Sequence, residues 1–190
     1  MTEKQAIAAS KFMSRVLRHS PKDAGLTLDE NGWASTQALI DGMNKAGKTI
    51  DLEALKYVVE INDKQRFRFS DDYSKIRASQ GHSVKVDLGL TPAQPPDVLY
   101  HGTATHFLDS IKKGGLISKK RHHVHLSKDR ETAENVGGRH GLSVVLTINT
   151  IQMYADGYEF FLSDNEVWLT EVVPARYIWQ FTRDTEAREE

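Results

Sequence analysis

Three short segments of this chain place arginine or histidine where the side chains could bind phosphate. They are centred on Arg18-His19, Arg66 and Arg139. An arginine presents a planar fork of N–H donors to two phosphate oxygens and stays charged at any working pH, and a histidine adds a donor that titrates near neutrality. Each segment also has a structural interpretation, as a helix end, an edge strand or a tight loop. The residue types therefore indicate phosphate binding without deciding it.

A fourth segment is polar throughout and contains Arg77, Gln80 and His82 around Gly81. A glycine flanked by short hydrogen-bond donors allows the backbone to approach a ligand closely. An ordinary turn would have the same composition. The segment is therefore a candidate ligand loop with a structural alternative.

The second half of the chain adds a short His101-Gly102-Thr103 segment and a basic run. From Lys112 to Arg130 there are seven lysines or arginines and one acid, Asp129. Such clustering in a chain of near-zero net charge favours a polyanion ligand, although a solvated basic face is the alternative. His123 and His125 share one strand face, but no acidic residue or cysteine lies close enough in sequence to complete a metal site. No metal is expected.

The overall composition excludes several classes of protein. Twenty-five basic and 26 acidic residues give a net charge of −1, so any nucleic-acid surface must arise from local clustering. The chain has no cysteine, which excludes disulfides, cysteine-based metal sites and cysteine nucleophiles and fits a reducing cytoplasm. The segment Met1–Gln5 has no apolar signal region, and no apolar run approaches the roughly 20 residues that span a bilayer. We expect a cytoplasmic protein without a membrane segment.

A proline-rich segment divides the chain into two predicted domains, 1–87 and 98–190. The intervening linker, 88–97, holds three of the five prolines. In the first domain, Ala8, Phe12 and Val16 recur with helical spacing. The cap candidates are Ser35 or Thr36 for a second helix and Asp51 for a third, and the candidate strands are Arg66–Phe69 and Ile76–Ala78. Three helices followed by a two-stranded wing is a winged-helix pattern.

The second domain is predicted to be a mixture of short strands and short helices, so the fold class is α+β. The segments around 104–113 and 129–136 favour helix. The candidate strands are Val98–Tyr100, His123–Leu126, Val144–Ile148, Glu159–Leu162 and Val167–Thr170.

In their order along the chain, these segments resemble the RNA 2′-phosphotransferase family known as Tpt1 or KptA. The likeness runs from about residue 10 to about residue 180. It rests on Ser10-Lys11, Leu17-Arg18-His19, Arg66-Phe67, Arg77–Ser83, His101-Gly102-Thr103, His123–Ser127, Gly138–Gly141 and Val167–Thr170.

The resemblance implies an N-terminal winged-helix lobe that binds RNA and a C-terminal ADP-ribosyltransferase-like lobe that binds NAD⁺. It also implies that NAD⁺ is consumed as a co-substrate. The 2′-phosphate of the RNA attacks C1″ of the nicotinamide ribose and nicotinamide leaves, after which the 2″-hydroxyl attacks the phosphorus. The products are RNA with a 2′-hydroxyl and ADP-ribose 1″,2″-cyclic phosphate.

The family's functional residues can be carried over one by one. The essential tetrad falls on Arg18, His19, Arg66 and Arg139. The NAD⁺ pocket falls on His101, Gly102, Thr103, Arg121, His125 and Ser127, and the RNA contacts on Arg77, Gln80 and His82. The sequence departs from the family pattern at Arg68, where an apolar or small residue is usual, and at Glu166, where glycine is common. We expect a monomer that binds RNA and NAD⁺ and no membrane.

Two other functions fit parts of the same pattern. One is an ADP-ribosyltransferase that leaves ADP-ribose on a nucleic-acid phosphate or on a protein. The other is a non-catalytic RNA-binding module, which would bind RNA regardless of a 2′-phosphate and consume no NAD⁺.

Overall fold

The computed structural model describes residues 1–183, so residues 184–190, which end the predicted 98–190 domain, lie outside the described residues. The chain forms two compact units, Met1–Gly89 and Leu90–Glu190. Each has its own hydrophobic core. The fold is a mixture of helices and small antiparallel sheets, which confirms the predicted α+β class.

Unit 1 contains three helices and three short strands. The helices are α1 (Glu3–Arg18), α2 (Thr36–Lys45) and α3 (Leu52–Glu60), and the strands are β1 (Ala34–Ser35), β2 (Phe67–Phe69) and β3 (Lys75–Ala78). Ser35 caps α2 and Asp51 caps α3, each through a side-chain oxygen that accepts a backbone N–H. Of the predicted α1 stripe, Val16 is buried and Ala8 and Phe12 are half-buried, and the buried face of α1 also includes Ala6, Ala9, Met13 and Leu17.

The predicted two-stranded wing is wrong in one respect, because the sheet of unit 1 has three strands. Strands β2 and β3 pair antiparallel as expected, and β1 pairs with the other edge of β3 in the order β1-β3-β2. Only two residues, Ala34 and Ser35, form β1. A strand this short shows no alternation in the sequence, which explains why the pattern missed it.

Unit 2 contains eight short strands and three α-helices among its described residues. The helices are α4 (Leu108–Gly114), α5 (Arg130–Gly137) and α6 (Thr150–Ala155), and the strands are β4 (Val98–Ala104), β5 (Leu116–Ile117), β6 (Val124–Leu126), β7 (Ser143–Asn149), β8 (Phe161–Leu162), β9 (Trp168–Thr170), β10 (Val172–Val173) and β11 (Ile178–Arg183). The sheet orders are β11-β7-β4, β6-β9-β8 and β10-β5. The sequence patterns missed α6, β5, β10 and β11. The two-residue strands β5 and β10 and the six-residue helix α6 are too short to show a clear period.

The proline-rich segment between the predicted domains contains no helix and is partly paired. Ala93 donates its backbone N–H to the carbonyl of Phe160 at 2.8 Å, and Thr150 Oγ1 donates to the carbonyl of Pro96 at 2.5 Å. These bonds attach the second part of the segment to unit 2.

Helix α5 packs closely on the central sheet of unit 2 because Gly102 has no side chain. A Cβ at Gly102 would lie 1.6 Å from the carbonyl oxygen of Ala133, and one at Gly137 would lie 2.6 Å from the carbonyl oxygen of Thr103. Real Cβ atoms do not approach backbone oxygens so closely. The helix and β4 therefore meet backbone to backbone, which places the loop after α5 beside the end of β4.

Candidate active site

The end of α1 and the polar loop after β3 hold Arg18 and His19 together. The backbone N–H of Ser83 donates to the carbonyl of Arg18 at 2.9 Å, and His19 Nδ1 lies 2.9 Å from Ser83 Oγ. Gly81 has φ +85°, a left-handed conformation that glycine adopts without strain, and a Cβ there would touch the Arg18 side chain at 3.8 Å. The loop thus covers one side of the Arg18 guanidinium.

A buried asparagine that the sequence patterns did not single out holds Arg66. Asn62 is 8% exposed, and its Oδ1 accepts from the backbone N–H of Arg66 at 3.2 Å and from Nη1 of the same residue at 3.3 Å. Its Nδ2 donates to Ser10 Oγ on α1 at 2.9 Å. A single amide therefore links α1, the end of α3 and the Arg66 guanidinium. An isolated asparagine before a strand carries no sequence signal for this role.

Arg18 and Arg66 line the same groove, which lies entirely within unit 1 and has a volume of about 460 Å³. Its remaining lining residues come from α1, the end of α3 and the turn after it: Ala6, Ile7, Ser10, Lys11, Ser14, Val58, Ile61, Asn62, Asp63 and Lys64. Four cationic side chains and one carboxylate line it. The net positive charge of this lining favours an anionic ligand.

The three predicted RNA contacts of unit 1 differ in their surroundings. Arg77 is 8% exposed, its guanidinium carbon lies 4.7 Å from the centre of the Trp33 ring, and its Nη1 donates to the carbonyl of Asn31 at 3.3 Å. His82 is 2% exposed, whereas Gln80 is half-buried. The surroundings of Arg77 and His82 favour a structural contribution, since buried groups of this kind shape the loop that carries Ser83.

In unit 2, the predicted NAD⁺ residues His101, Arg121 and His125 form a hydrogen-bonded cluster. His101 Nδ1 donates to the carbonyl of His125 at 2.9 Å, and Arg121 Nη1 donates to His125 Nδ1 at 3.0 Å. A guanidinium can only donate, so His125 Nδ1 is the acceptor of the second bond. Backbone pairing orders the cluster, because His101 lies on β4 and His125 on β6.

The electrostatics of this cluster are positive. Burial lowers the pKa of His101, and the nearby charges of Arg121 and His140 lower it further. Partial burial also lowers the pKa of Arg121. A neutral His101 ring whose Nδ1–H donates to the His125 carbonyl keeps Nε2 as an acceptor, and the Arg121 guanidinium supplies N–H donors for an anionic ligand.

The other three predicted NAD⁺ residues lie on the same strands or beside them. Ser127 and Tyr100 exchange backbone hydrogen bonds at 2.8 and 2.9 Å, which extends the β4–β6 contact. Thr103 is 6% exposed and Gly102 packs on Ala133. The Cβ position of Gly102 therefore faces α5, so a structural contribution accounts for this glycine.

Arg139 is exposed in the loop after α5. The loop is closed by backbone bonds from Arg139 to Val136 at 3.3 Å and from His140 to Gly137 at 2.9 Å. It leads directly into β7, the central strand of its sheet. The loop is thus short and anchored at both ends.

The two positions that depart from the family pattern are exposed. Arg68 lies on the edge strand β2 with its guanidinium carbon 5.5 Å from the Trp33 ring centre. Glu166 has φ +60° in the turn before β9, and its carboxylate lies 3.9 Å from Lys128 Nζ. A left-handed backbone explains why glycine is common at this position.

Among residues 1–183, no group of three or more histidine, cysteine or acidic side chains is arranged to hold a metal ion. No helix in this range is long and apolar enough to cross a membrane.

The fold places one cluster of arginine and histidine side chains in each unit, and these residue types suit anionic ligands. Comparison with known proteins identifies the family. A sequence model of the family described as RNA 2′-phosphotransferase, Tpt1 / KptA matches residues 4–172. The chain belongs to this family.

Bacterial relatives support the assignment over almost the whole chain. A protein of Flavobacterium johnsoniae is 54% identical over 178 residues, which covers 94% of this chain and 98% of the relative. A protein of Agrobacterium fabrum is 53% identical over 171 residues, 90% of this chain and 92% of its own. One of Fusobacterium nucleatum is 49% identical over 173 residues, 90% of this chain and 97% of its own. All three carry the name probable RNA 2′-phosphotransferase.

Proposed function

We propose that this protein transfers an internal 2′-phosphate from RNA to NAD⁺, giving RNA with a 2′-hydroxyl, nicotinamide and ADP-ribose 1″,2″-cyclic phosphate. The observation that carries the proposal is the convergence of Arg18 and Arg66 on one cationic groove in a chain of this family. The proposed catalytic residues are Arg18, His19, Arg66 and Arg139.

The first step needs orientation more than proton transfer. The 2′-phosphate of the RNA is already an anion, so one of its oxygens attacks C1″ without a general base as nicotinamide leaves. Arg18 and Arg66 hold the phosphate by charge-assisted hydrogen bonds, and orientation of this kind accounts for a large part of the rate of many enzymes. Arg139, in the loop after α5 of unit 2, is proposed as a further catalytic residue because the resemblance places the fourth member of the tetrad there.

The second step needs charge stabilisation and a proton shuttle. The ribose 2″-hydroxyl attacks the phosphorus, the bond to the RNA 2′-oxygen breaks, and the proton of the hydroxyl passes to the departing oxygen. His19 is the proposed carrier, and its contact with Ser83 Oγ orients the ring. The arginines offset the charge that accumulates on the phosphorane-like transition state.

NAD⁺ is proposed to bind in unit 2 at His101, Gly102, Thr103, Arg121, His125 and Ser127. The donor chemistry fits, because Arg121 and the two histidines converge and the local charge is positive. Arg121 would bind the pyrophosphate, His101 and His125 would hydrogen-bond to ribose or amide groups, and Gly102 would act indirectly by setting the position of α5. NAD⁺ supplies the electrophilic ribose carbon and the leaving nicotinamide.

We propose a fold type for each unit that suits its role, RNA binding in unit 1 and NAD⁺ binding in unit 2. Three helices and a small antiparallel sheet support a winged-helix unit that binds RNA, with a domain boundary near residues 88–97. The paired short strands and packed helix α5 of unit 2 support an ADP-ribosyltransferase-like unit.

Among the predicted RNA contacts, Gln80 is proposed to touch RNA, and Arg77 and His82 are proposed to shape the loop. We propose that the protein acts as a monomer.

Incubation of the protein with a short RNA that bears one internal 2′-phosphate, with and without NAD⁺, tests the proposal. The phosphate should be removed only with NAD⁺, and a cyclic phosphate of ADP-ribose should appear. Removal without NAD⁺ would identify a phosphatase. NAD⁺ consumption with ADP-ribose retained on the RNA or on a protein would identify an ADP-ribosyltransferase instead.

A further inference from the structure

The loop 118–123 of unit 2 carries Arg121, and strand pairing anchors both of its ends. The loop follows β5, which pairs with β10, and it leads into β6, which pairs with β9. Within the loop, the backbone N–H of Arg121 donates to the carbonyl of Ser118 at 3.0 Å. This bond closes a β-turn over 118–121. The place of the Arg121 side chain therefore depends on how this turn is held.

The side chain of Lys119 ties the turn to the core of unit 2. Lys119 Nζ lies 4.8 Å from the centre of the Phe107 ring, within the range of a cation–π interaction. Phe107 packs on the hydrophobic core of unit 2, and its ring centre lies 4.0 Å from that of His106. The contact thus joins an exposed lysine in the turn to a ring that the core holds in place.

The backbone of Lys119 shows that the turn is constrained. Its φ is +53°, a left-handed conformation that is uncommon for a residue other than glycine. Such a conformation costs free energy and persists where the surrounding contacts determine it. The cation–π contact and the Arg121–Ser118 bond are two such contacts, one on each side of the peptide that leads to Lys120.

Arg121 benefits from a fixed turn because its own side chain is long and exposed. Its Nη1 donates to His125 Nδ1 at 3.0 Å, which leaves further N–H groups of the guanidinium for a ligand. A flexible side chain loses rotamer entropy when it binds a ligand, and one that is already held loses less. Support of the turn two residues earlier therefore strengthens binding by Arg121 without any contact between Lys119 and the ligand.

We propose that Lys119 is a positioning residue for NAD⁺: its contact with Phe107 holds the turn 118–121 and so keeps the Arg121 guanidinium beside His125, ready for the pyrophosphate. This inference rests on the proposed function, since it takes Arg121 as the residue that binds the pyrophosphate. Lys119 acts through Arg121. It therefore contributes to the affinity for NAD⁺ and not to the chemical step once NAD⁺ is bound.

The first test measures the Kd for NAD⁺ by isothermal titration calorimetry without RNA. Lys119→Gln, which keeps the length of the side chain but not its charge, should raise Kd about three- to fivefold, as expected for the loss of one exposed cation–π contact. Phe107→Leu should raise it by a similar factor. Lys119→Arg retains a cation for the ring and should restore the affinity of the unaltered protein.

The neighbouring Lys120 supplies the control for charge alone, since it is equally exposed. Lys120→Gln should change Kd by less than about 1.5-fold, because an exposed charge is screened by salt. Equal effects of Lys119→Gln and Lys120→Gln would overturn the inference, as would an unchanged Kd in Lys119→Gln. In steady-state kinetics, Lys119→Gln should raise KM for NAD⁺ and leave kcat at saturating NAD⁺ unchanged.

A double-mutant cycle with Arg121→Ala tests whether Lys119 acts through Arg121. In the Arg121→Ala protein, Lys119→Gln should leave the Kd for NAD⁺ unchanged, because the guanidinium that Lys119 positions is gone. The same three- to fivefold increase in that protein as in the unaltered one would overturn the inference and assign Lys119 a contact with NAD⁺ itself.

Hydrogen exchange separates failure of this inference from failure of the proposed function. Exchange of the Arg121 amide, followed by NMR without NAD⁺, should become about three- to fivefold faster in Lys119→Gln and Phe107→Leu and stay unchanged in Lys120→Gln, because opening of the turn breaks the bond to Ser118. An unchanged rate would overturn the inference even in an active enzyme. A protein that binds no NAD⁺ would overturn the proposed function, and the exchange rates would still show whether Lys119 holds the turn.

Discussion

The groove of unit 1 and the histidine cluster of unit 2 hold their candidate functional side chains by different means. In the groove, the buried side chain of Asn62 accepts two hydrogen bonds from Arg66 and donates one to Ser10 on α1. In unit 2, His101 on β4 and His125 on β6 are joined by a side-chain-to-backbone hydrogen bond next to the isolated bridge between Tyr100 and Ser127, and the β4 backbone is fixed against α5 through Gly102. We therefore expect a substitution at Asn62 to change activity by displacing the Arg66 guanidinium. A substitution at Gly102 should instead lower the stability of the sheet in unit 2.

The largest effect is expected at the arginines proposed to act on the phosphate, to which the comparison between the two units does not apply. Arg18→Ala in unit 1 and Arg139→Ala in unit 2 should each lower kcat by about 10²–10³, because each removes a charge-assisted hydrogen bond to the transition state. Steady-state kinetics with 2′-phosphorylated RNA measures this. Arg15→Ala is the control, since Arg15 lies on the same helix as Arg18 but pairs with Asp23 at the surface. Near-normal turnover of either variant would remove that residue from the site.

Gly102→Ala should destabilise unit 2 by disrupting the packing of α5 on β4. The added methyl group would lie 1.6 Å from the Ala133 carbonyl oxygen, so α5 must move away from β4. We expect the free energy of unfolding to fall by about 3 kcal/mol, at the upper end of the usual cost of overpacking. Urea denaturation checks this against Gly114→Ala, where no atom lies within 4 Å of the added group and the change should stay within about 1 kcal/mol. Equal stability of the two variants would contradict the proposed packing role.

Asn62→Ala should lower activity through Arg66 without affecting unit 2. It removes the acceptor of two bonds from Arg66 and the donor to Ser10, so we expect kcat to fall about 10–100-fold and stability to fall by about 1–3 kcal/mol. Ser10→Ala removes only the bond between α1 and the amide and should retain most of the activity. Kinetics and urea denaturation of both variants measure the two effects. An Asn62→Ala enzyme with less stability but unchanged kcat would show that Asn62 is purely structural.

The smallest effect concerns the pH dependence of stability in unit 2. Burial lowers the pKa of His101 below its ordinary 6.5, so at mildly acidic pH the unfolded chain binds more protons than the folded protein. The free energy of unfolding should therefore fall as the pH decreases below about 6.5. Burial lowers the pKa of His123 as well, which adds to the same trend.

His101→Asn isolates the contribution of this ring, because the asparagine amide can still donate to the His125 carbonyl but does not titrate. Between pH 7.5 and pH 5.5, urea denaturation should show a smaller decrease in stability in the variant than in the unaltered protein. The same decrease in both proteins would mean that His101 is not a buried neutral ring.

The sequence predicted only part of the fold and of the candidate site. Helical spacing, cap residues and the alternation of Arg66–Phe69 were sufficient to locate the helices and the β2–β3 pair of unit 1, because these signals are local. The resemblance located Arg18, His19, Arg66 and Arg139 through short segments in a fixed order. The family is confirmed by the sequence comparisons, and the roles of the four residues stay predictions.

Other features depend on contacts between distant residues and left no local signal. The bond between Ser10 and Asn62 joins residues 52 positions apart. The burial of Arg77 against Trp33 reverses what an arginine in a polar run indicates by itself. Gly102 matches a ligand-binding glycine in sequence, yet its Cβ position faces Ala133, which only the packing of α5 reveals.

The most direct test of the proposed function follows the phosphorus atom itself. An RNA labelled with ³²P in its internal 2′-phosphate is incubated with an excess of enzyme and NAD⁺, and the labelled products are separated over a single turnover. We predict that the label moves from RNA to ADP-ribose 1″,2″-cyclic phosphate, with one nicotinamide released for each phosphate transferred. Label recovered as inorganic phosphate, or retained on RNA while NAD⁺ is consumed, would contradict the account.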